Sequence, residues 1–318
     1  MSTAPPRVRV GFRPSRRLFA DRARLAAVVA QAEAGGLDRL VVGDHVGFRD
    51  GHGFDGMIHA TALAALSARI SVATAVYLLP LRHPVTVARQ VSSLAELAPG
   101  RIELGVGVGG EDPAEYRMCE VDPATRGARM NEALAIVRHL LAGEPVTATG
   151  RHFVLDGARV LPRPPAPVPL LVGGRSRAAL RRTARHGDGW IALWVTPARF
   201  AAGVAEIAEL AAEHGRTVPA WRHTMHLWCG IGADRAEATR LLAEEMEALY
   251  GVPFERFARY CPAGRPEDVA EAVEPYVAAG CSDVNLITVA AGPEAALEGT
   301  LAVRDLLGRP AAVAAGPS

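Results

Sequence analysis

Short β-branched and aliphatic runs alternate with alanine-rich stretches of helical spacing along nearly the whole chain. Runs at 8–12, 39–43, 70–78, 102–108, 170–172, 189–193, 223–231 and 283–288 predict eight strands. Between the first two, Leu18, Leu25, Val28, Val29 and Ala32 recur at the period of a helix that Gly35-Gly36 would end. Further helices are predicted over 61–67, 85–97, about 130–141, 178–186, 200–214, 236–249, 266–279 and 294–307. Pro266 falls where the first turn of a helix tolerates proline, and Gly280 is placed to close the same helix. One stretch breaks the rhythm: 143–167 is rich in proline and glycine around Arg151-His-Phe-Val-Leu155, which predicts an excursion or small hairpin. Strands separated by helices in this number close most naturally into a (β/α)8 TIM barrel with an insertion after the fourth βα unit. A doubly wound open sheet is the alternative. With no shift in composition to mark a boundary, 1–318 reads as one domain, with the insertion at about 143–167 and flexible tails at 1–6 and 309–318. In a barrel the loops that follow the strands carry function, so candidate chemistry is sought there.

Composition narrows the chemistry. The 318 residues are 49% hydrophobic with a formal charge of +1, enough for a large core and too balanced for a nucleic-acid partner. All 35 basic residues are arginine. Without a lysine there is no Schiff-base amine, no pyridoxal-phosphate anchor and no phosphate-loop lysine. Anions must be held by arginine, histidine, backbone amides or a helix N-terminus. The four cysteines form no C-x-x-C pair, which reads as buried or idle thiols and neither a zinc knuckle nor a disulfide framework. The longest apolar region, 60–81, is cut by Arg69, so no membrane span is expected, and residues 1–14 lack the apolar core of a signal peptide. The expected location is the cytoplasm.

Several strand-end motifs carry possible chemistry. Gly105, Gly107 and Gly110 form a G-x-G-x-x-G after the fourth strand, but Glu111-Asp112-Pro113 and a long loop intervene where a dinucleotide fingerprint needs a helix. The glycines, Gly107 and Gly109 among them, read better as a strand end stripped of side chains so that a flat ligand lies on its backbone. Gly173-Gly174-Arg175-Ser176 follows a strand and opens a helix, an arrangement suited equally to a phosphate on free amides and to a tight turn with Ser176 as N-cap. Asp44-His45 follows the second strand at the mouth, where acid–base work would be done, with Glu111, Asp112 and Glu115 within reach of the same rim. His45, His52 and His59 are evenly spaced, but Gly51 and Gly53 argue against a shared helical face and a metal site.

The strings VVGDH (41–45), TAVYLLPLRHP (74–84), PGRIELGVGVGGEDPAEY (99–116), RGARMNEAL (126–134) and LLVGGRSRAALRRTARHGDGW (170–190) together resemble the luciferase-like monooxygenase superfamily, in its deazaflavin-dependent branch. The likeness covers roughly 7–308 and implies a (β/α)8 barrel with coenzyme F420, or alternatively FMN, across its mouth. It implies a cofactor phosphate on Gly173, Gly174, Arg175 and Ser176, and a ring against an Ala75–Val76 bulge carrying a non-proline cis peptide. The Asp44-His45 pair resembles that of deazaflavin members, where oxygen-using luciferases more often carry Glu-His-His. His45 would then orient the cofactor and handle a proton, with Asp44 beside it and Glu111 or Glu115 as second acid or base. The chain departs from the pattern at Gly110, where many relatives place tryptophan, at Arg89 in place of lysine, and at Ala95 in place of an acid. Sugar-phosphate-oxidising relatives grip phosphate with lysines, so that specificity is not expected here.

The leading expectation is therefore an F420-dependent oxidoreductase that moves a hydride to or from a small organic molecule held between His45, Glu111 and the 143–167 excursion. An FMN-dependent monooxygenase, a non-catalytic flavin-binding relative and an open-sheet nicotinamide dehydrogenase are the rivals. A homodimer is the expected assembly.

Overall fold

The computed structural model describes residues 7–109 and 112–308, and within them eight strands close into a ring. In chain order these are β1 Arg9–Phe12, β2 Arg39–Val42, β3 Ser71–Thr74, β4 Ile102–Gly107, β5 Leu170–Gly173, β6 Gly189–Leu193, β7 Thr224–Ile231 and β8 Asp283–Val289. Each pairs in parallel with its neighbours in sequence, and β8 returns to β1 through Arg9↔Asp283 to Phe12↔Leu286. The helices that cover the ring include α1 Arg22–Ala34, α2 Gly56–Leu66, α3 Pro84–Leu97, α4 Arg126–Leu141, α5 Arg177–His186, α6 Pro197–Glu213, α7 Arg235–Tyr250, α8 Pro266–Ala278 and α9 Pro293–Leu307. This is the expected (β/α)8 barrel. Side-chain caps place several helix starts: Asp21 accepts from Arg24 N, Asp55 from Met57 N and Ile58 N, and Asp234 from Glu237 N. Two helix boundaries differ from the expectation for this reason. Asp21 splits a 3-10 turn at Arg16–Ala20 from α1, and Asp55 starts α2 five residues earlier than the apolar spacing suggests.

Inside the ring, side chains alternate between interior and helix layer. Charged residues at or near the first position of four strands meet at the N-terminal end of the barrel. Arg39 bonds Asp283 Oδ1 at 2.7 Å, Asn285 Oδ1 at 3.0 Å and Glu103, and Arg9 reaches Glu103 at 2.9 Å. Burial alone would raise the Glu103 carboxyl, but Arg39, Arg9 and Arg222 outweigh it and hold it below its ordinary value. Above this plug, Val41, Ala75, Leu171 and Ile191 form a dry layer. The barrel is thus filled below and open above, which confines ligand chemistry to the strand C-terminal ends.

The strand expected over 70–78 is interrupted: β3 stops at Thr74, the Ala75–Val76 peptide is cis, and Tyr77–Leu78 resumes pairing beside Val106–Gly107. The excursion at 143–167 contains an antiparallel hairpin, Val146–Thr149 with Val154–Ala158. Glu132 of α4 accepts from His152 N and Phe153 N, and the Phe153 ring lies under Arg129 and against His83. The hairpin is thereby fixed to α3 and α4. The expected tails, 1–6 and 309–318, lie outside the described residues. Among the described residues no helix is long and apolar enough to cross a membrane, and all four cysteines are free, with burial pushing the Cys229, Cys261 and Cys281 thiols up to about 12.

Candidate active site

The chain leaves β2 at Val42 still extended, so Asp44 and His45 point in opposite directions. Asp44 turns into the protein. Its carboxylate accepts from Gly56 N at 2.9 Å and Leu78 N at 2.8 Å, and takes both Arg82 nitrogens, Nη1 at 2.6 Å and Nη2 at 2.9 Å. Burial pushes this carboxyl up, Arg82 and the two amides acting against it. Four donors at two oxygens suit the ionised form and leave no acceptor for a substrate.

His45 turns toward the mouth, about one third exposed, with its ring 4.5 Å from Phe48. Its Nδ1 lies 3.3 Å from both oxygens of Glu115. Glu115 sits on a short helix, Pro113–Met118, and also accepts from Val46 N at 2.6 Å and Gly47 N at 3.2 Å. The N-cap of that helix, Asp112, accepts from Arg49 N, so the loops after β2 and β4 are latched together. Burial would raise the Glu115 carboxyl, but His45 and the two amides hold it below its ordinary value. Any stability this carboxylate contributes is present above the unfolded carboxyl value of about 4.3 and is lost as pH falls through its lower folded value. Glu111, expected on the same rim, lies outside the described residues.

The glycines at the end of β4 accommodate neighbouring side chains. A Cβ on Gly107 would stand 2.3 Å from Val76 Cγ2, and one on Gly173 would stand 2.5 Å from Val76 Cγ1. The strand ends are bare where Val76 lies on them. Gly109, at φ 57°, turns the chain beside Leu78. Gly107→Ala is expected to lower stability by about 1–3 kcal/mol in chemical denaturation, and adding Val76→Ala is expected to recover much of it. Equal losses in the single and double variants would remove this account of the glycine.

At the end of β5, Gly174 has φ 128°, a conformation side-chain-bearing residues rarely adopt. Its carbonyl accepts from Trp190 Nε1 at 2.5 Å. Ser176 caps α5, accepting from Ala179 N at 3.3 Å, so the turn-and-cap reading holds. The Gly174 amide is taken by the Ile191 carbonyl at 3.2 Å, while the amides that follow it and exposed Arg175 lie at the helix N-terminus, where an anion is favoured. Arg175 stands 5.9 Å from the ring of Trp194, a residue the sequence did not single out. Trp194 has φ 52°, packs on Phe257 and Tyr250, and keeps a buried Nε1 without a partner.

Beside His45 the mouth deepens into a chamber walled by Phe19, Phe48, Phe54 and His59, with Arg13 and Arg16 at its edge. Phe19 and His59 stack at 3.7 Å, and burial lowers the His59 imidazole. No residue of 143–167 lines this chamber, the hairpin being held on α3 and α4. Among the described residues no three His, Cys, Asp or Glu side chains are grouped to hold a metal.

The family model for luciferase-like monooxygenases matches residues 3–257. An uncharacterised protein of Mycobacterium tuberculosis is 36% identical over 181 residues, 57% of this chain and 62% of its own length, so the match spans under two thirds of that relative. An F420-dependent glucose-6-phosphate dehydrogenase of Kineococcus radiotolerans is 30% identical over 306 residues, 86% of this chain and 89% of that protein. Among solved structures, an F420-dependent secondary alcohol dehydrogenase in complex with an F420–acetone adduct superposes with a TM-score of 0.81 over 94% of this chain and 100% of that one. At 20% identity this last likeness concerns the fold.

Proposed function

Since the chain belongs to the luciferase-like monooxygenase family, we propose that it is an F420-dependent oxidoreductase that moves a hydride between the deazaflavin C5 and a small organic substrate. The observation that carries this reading is the His45–Glu115 pair, a proton-handling group opening on the same mouth as the Val76 shelf and the Gly174 turn. The residues present fit such a cofactor. Val76, backed by Ala75 and the apolar layer of Val41, Leu171 and Ile191, offers a flat floor. The amides after Gly174, with Ser176 and Arg175, would hold its phosphate, and the unpartnered Trp194 Nε1 offers a donor nearby.

Bound F420 supplies a carbon that accepts or donates hydride. The chain's own residues manage the proton that accompanies it. With Glu115 ionised, His45 Nδ1–H donates to it and Nε2 presents its lone pair to the mouth. Nε2 then takes the hydroxyl proton of a substrate being oxidised, or returns one to a carbonyl oxygen being reduced. Glu115 does not reach the mouth and is a positioning residue. Asp44 positions by tying the His45 loop to Leu78 and Arg82. Glu111 is proposed as the second acid or base. The setting proposed is the cytoplasm, with the chain paired as a homodimer.

Titrating the purified chain with F420 and, separately, with FMN while following cofactor absorbance tests the reading. F420 is expected to bind, and Arg175→Ala to weaken it about ten-fold through loss of one charge-assisted contact. Binding of FMN alone would transfer the proposal to the FMN monooxygenase, and binding of neither would favour a non-catalytic relative.

A further inference from the structure

The chamber beside His45 has a composition that selects a substrate. Its walls are ring surfaces: Phe19 and His59 lie parallel within 8°, Phe54 stands 4.8 Å from the same His59, and Phe48 underlies His45. Burial lowers the His59 imidazole below its ordinary value, which favours the neutral ring. A sugar or other many-hydroxyl substrate finds few partners against such walls, whereas a flat apolar body matches them.

The entrance is cationic. Arg13 and Arg16 line the chamber, and Arg17 and Arg49 line the cleft that continues from it toward the ends of β1 and β8. Arg16 and Arg17 form no ion pair among the described residues, and Arg49 rests on the Phe48 ring at 5.7 Å. Among the described residues the chamber sets one acid against them, Asp44, bound by Arg82, and the cleft one, Glu245. Arg24 also lines the cleft but is held by Glu294 at 2.6 and 2.7 Å. The Arg16 guanidinium, without an ion pair among the described residues at the edge of an apolar chamber, is a charge that one planar anion completes.

We propose that the substrate is a flat, mainly apolar molecule bearing a carboxylate, its ring laid against the wall that Phe48, Phe54 and the stacked Phe19–His59 pair form and its carboxylate taken by Arg16. This deepens the oxidoreductase reading and rests on His45 facing the reacting carbon from the chamber wall. It sets the chain apart from a sugar-phosphate dehydrogenase by the apolar walls of the chamber.

Cinnamate and its uncharged amide, cinnamamide, are suitable probes, with glucose 6-phosphate as the contrasting anion. Binding to the full-length protein is measured by calorimetry, with and without F420. Cinnamate is expected to bind about ten-fold more tightly than cinnamamide. Arg16→Gln is expected to abolish that difference and leave cinnamamide unchanged, while Phe54→Ala weakens both. Equal binding of acid and amide, tighter binding of glucose 6-phosphate, or no binding of either cinnamyl probe would overturn the proposal. Failure of F420 to bind while cinnamate retains its Arg16-dependent preference would defeat the cofactor reading alone.

Discussion

His45→Ala is expected to lower kcat by about 100- to 10,000-fold, the span over which a positioned acid–base group accelerates proton transfer. F420 affinity should change little, because the floor at Val76 and the cradle at Gly174 are separate from the imidazole. Single-turnover absorbance of the loaded enzyme separates the two effects. Glu115→Gln should cost less, about ten-fold in kcat with KM nearly constant, since the 3.3 Å bonds to Nδ1 orient the ring and do not meet the substrate. Glu115→Ala should fall further than Glu115→Gln, as an amide oxygen still accepts from Nδ1. A His45→Ala variant that binds F420 and turns over normally would end the proposed role of the histidine.

The difference between those carboxylates is also where the sequence was least informative. Asp44 and His45 adjoin in the chain and invite reading as a pair, yet an extended backbone sends successive side chains to opposite faces. The residue that meets the imidazole is Glu115, seventy positions away and one of the two acids that the sequence offered beside His45. The ring of strands was legible because a buried parallel strand is a short apolar run bounded by glycine and proline, and this chain repeats that signal for every barrel strand. The cis peptide at Ala75–Val76 came with the family resemblance and is present. What Gly107 and Gly173 accommodate was not legible: bare strand ends suggest an absent ligand, and only the packing places Val76 there. Trp194 carried no signal beyond following β6, and its left-handed backbone and its place among Phe257 and Tyr250 appear only in the fold. The plug of Arg9, Arg39, Glu103 and Asp283 did leave a readable mark, an inward charge at or near the start of four strands.

Asp44→Asn is expected to be the most destabilising of the mouth substitutions, by about 3 kcal/mol. The carboxylate is fully enclosed and Arg82 is nearly so, with side-chain exposures of 0% and 14%. An asparagine presents one acceptor where four donors converge, and its amide group faces a guanidinium that keeps only Asp55, 3.3 Å away, as counter-charge. The unfolding midpoint should fall by roughly 4–5 °C for a protein of this size. Arg82→Met should be damaging for the mirror reason, a carboxylate buried with two amides and no cation. The double variant should lose less than the sum, because each single change leaves a partner stranded and the pair does not. The functional consequence follows from what Asp44 joins: Gly56 at the start of α2, Leu78 just past the Val76 shelf, and its own neighbour His45. Loosening that junction moves the proton-handling group relative to the cofactor floor, so Asp44→Asn should lower kcat even at temperatures where it remains folded. Full stability together with full turnover in this variant would mean that the His45 loop is held by Glu115 and Asp112 alone.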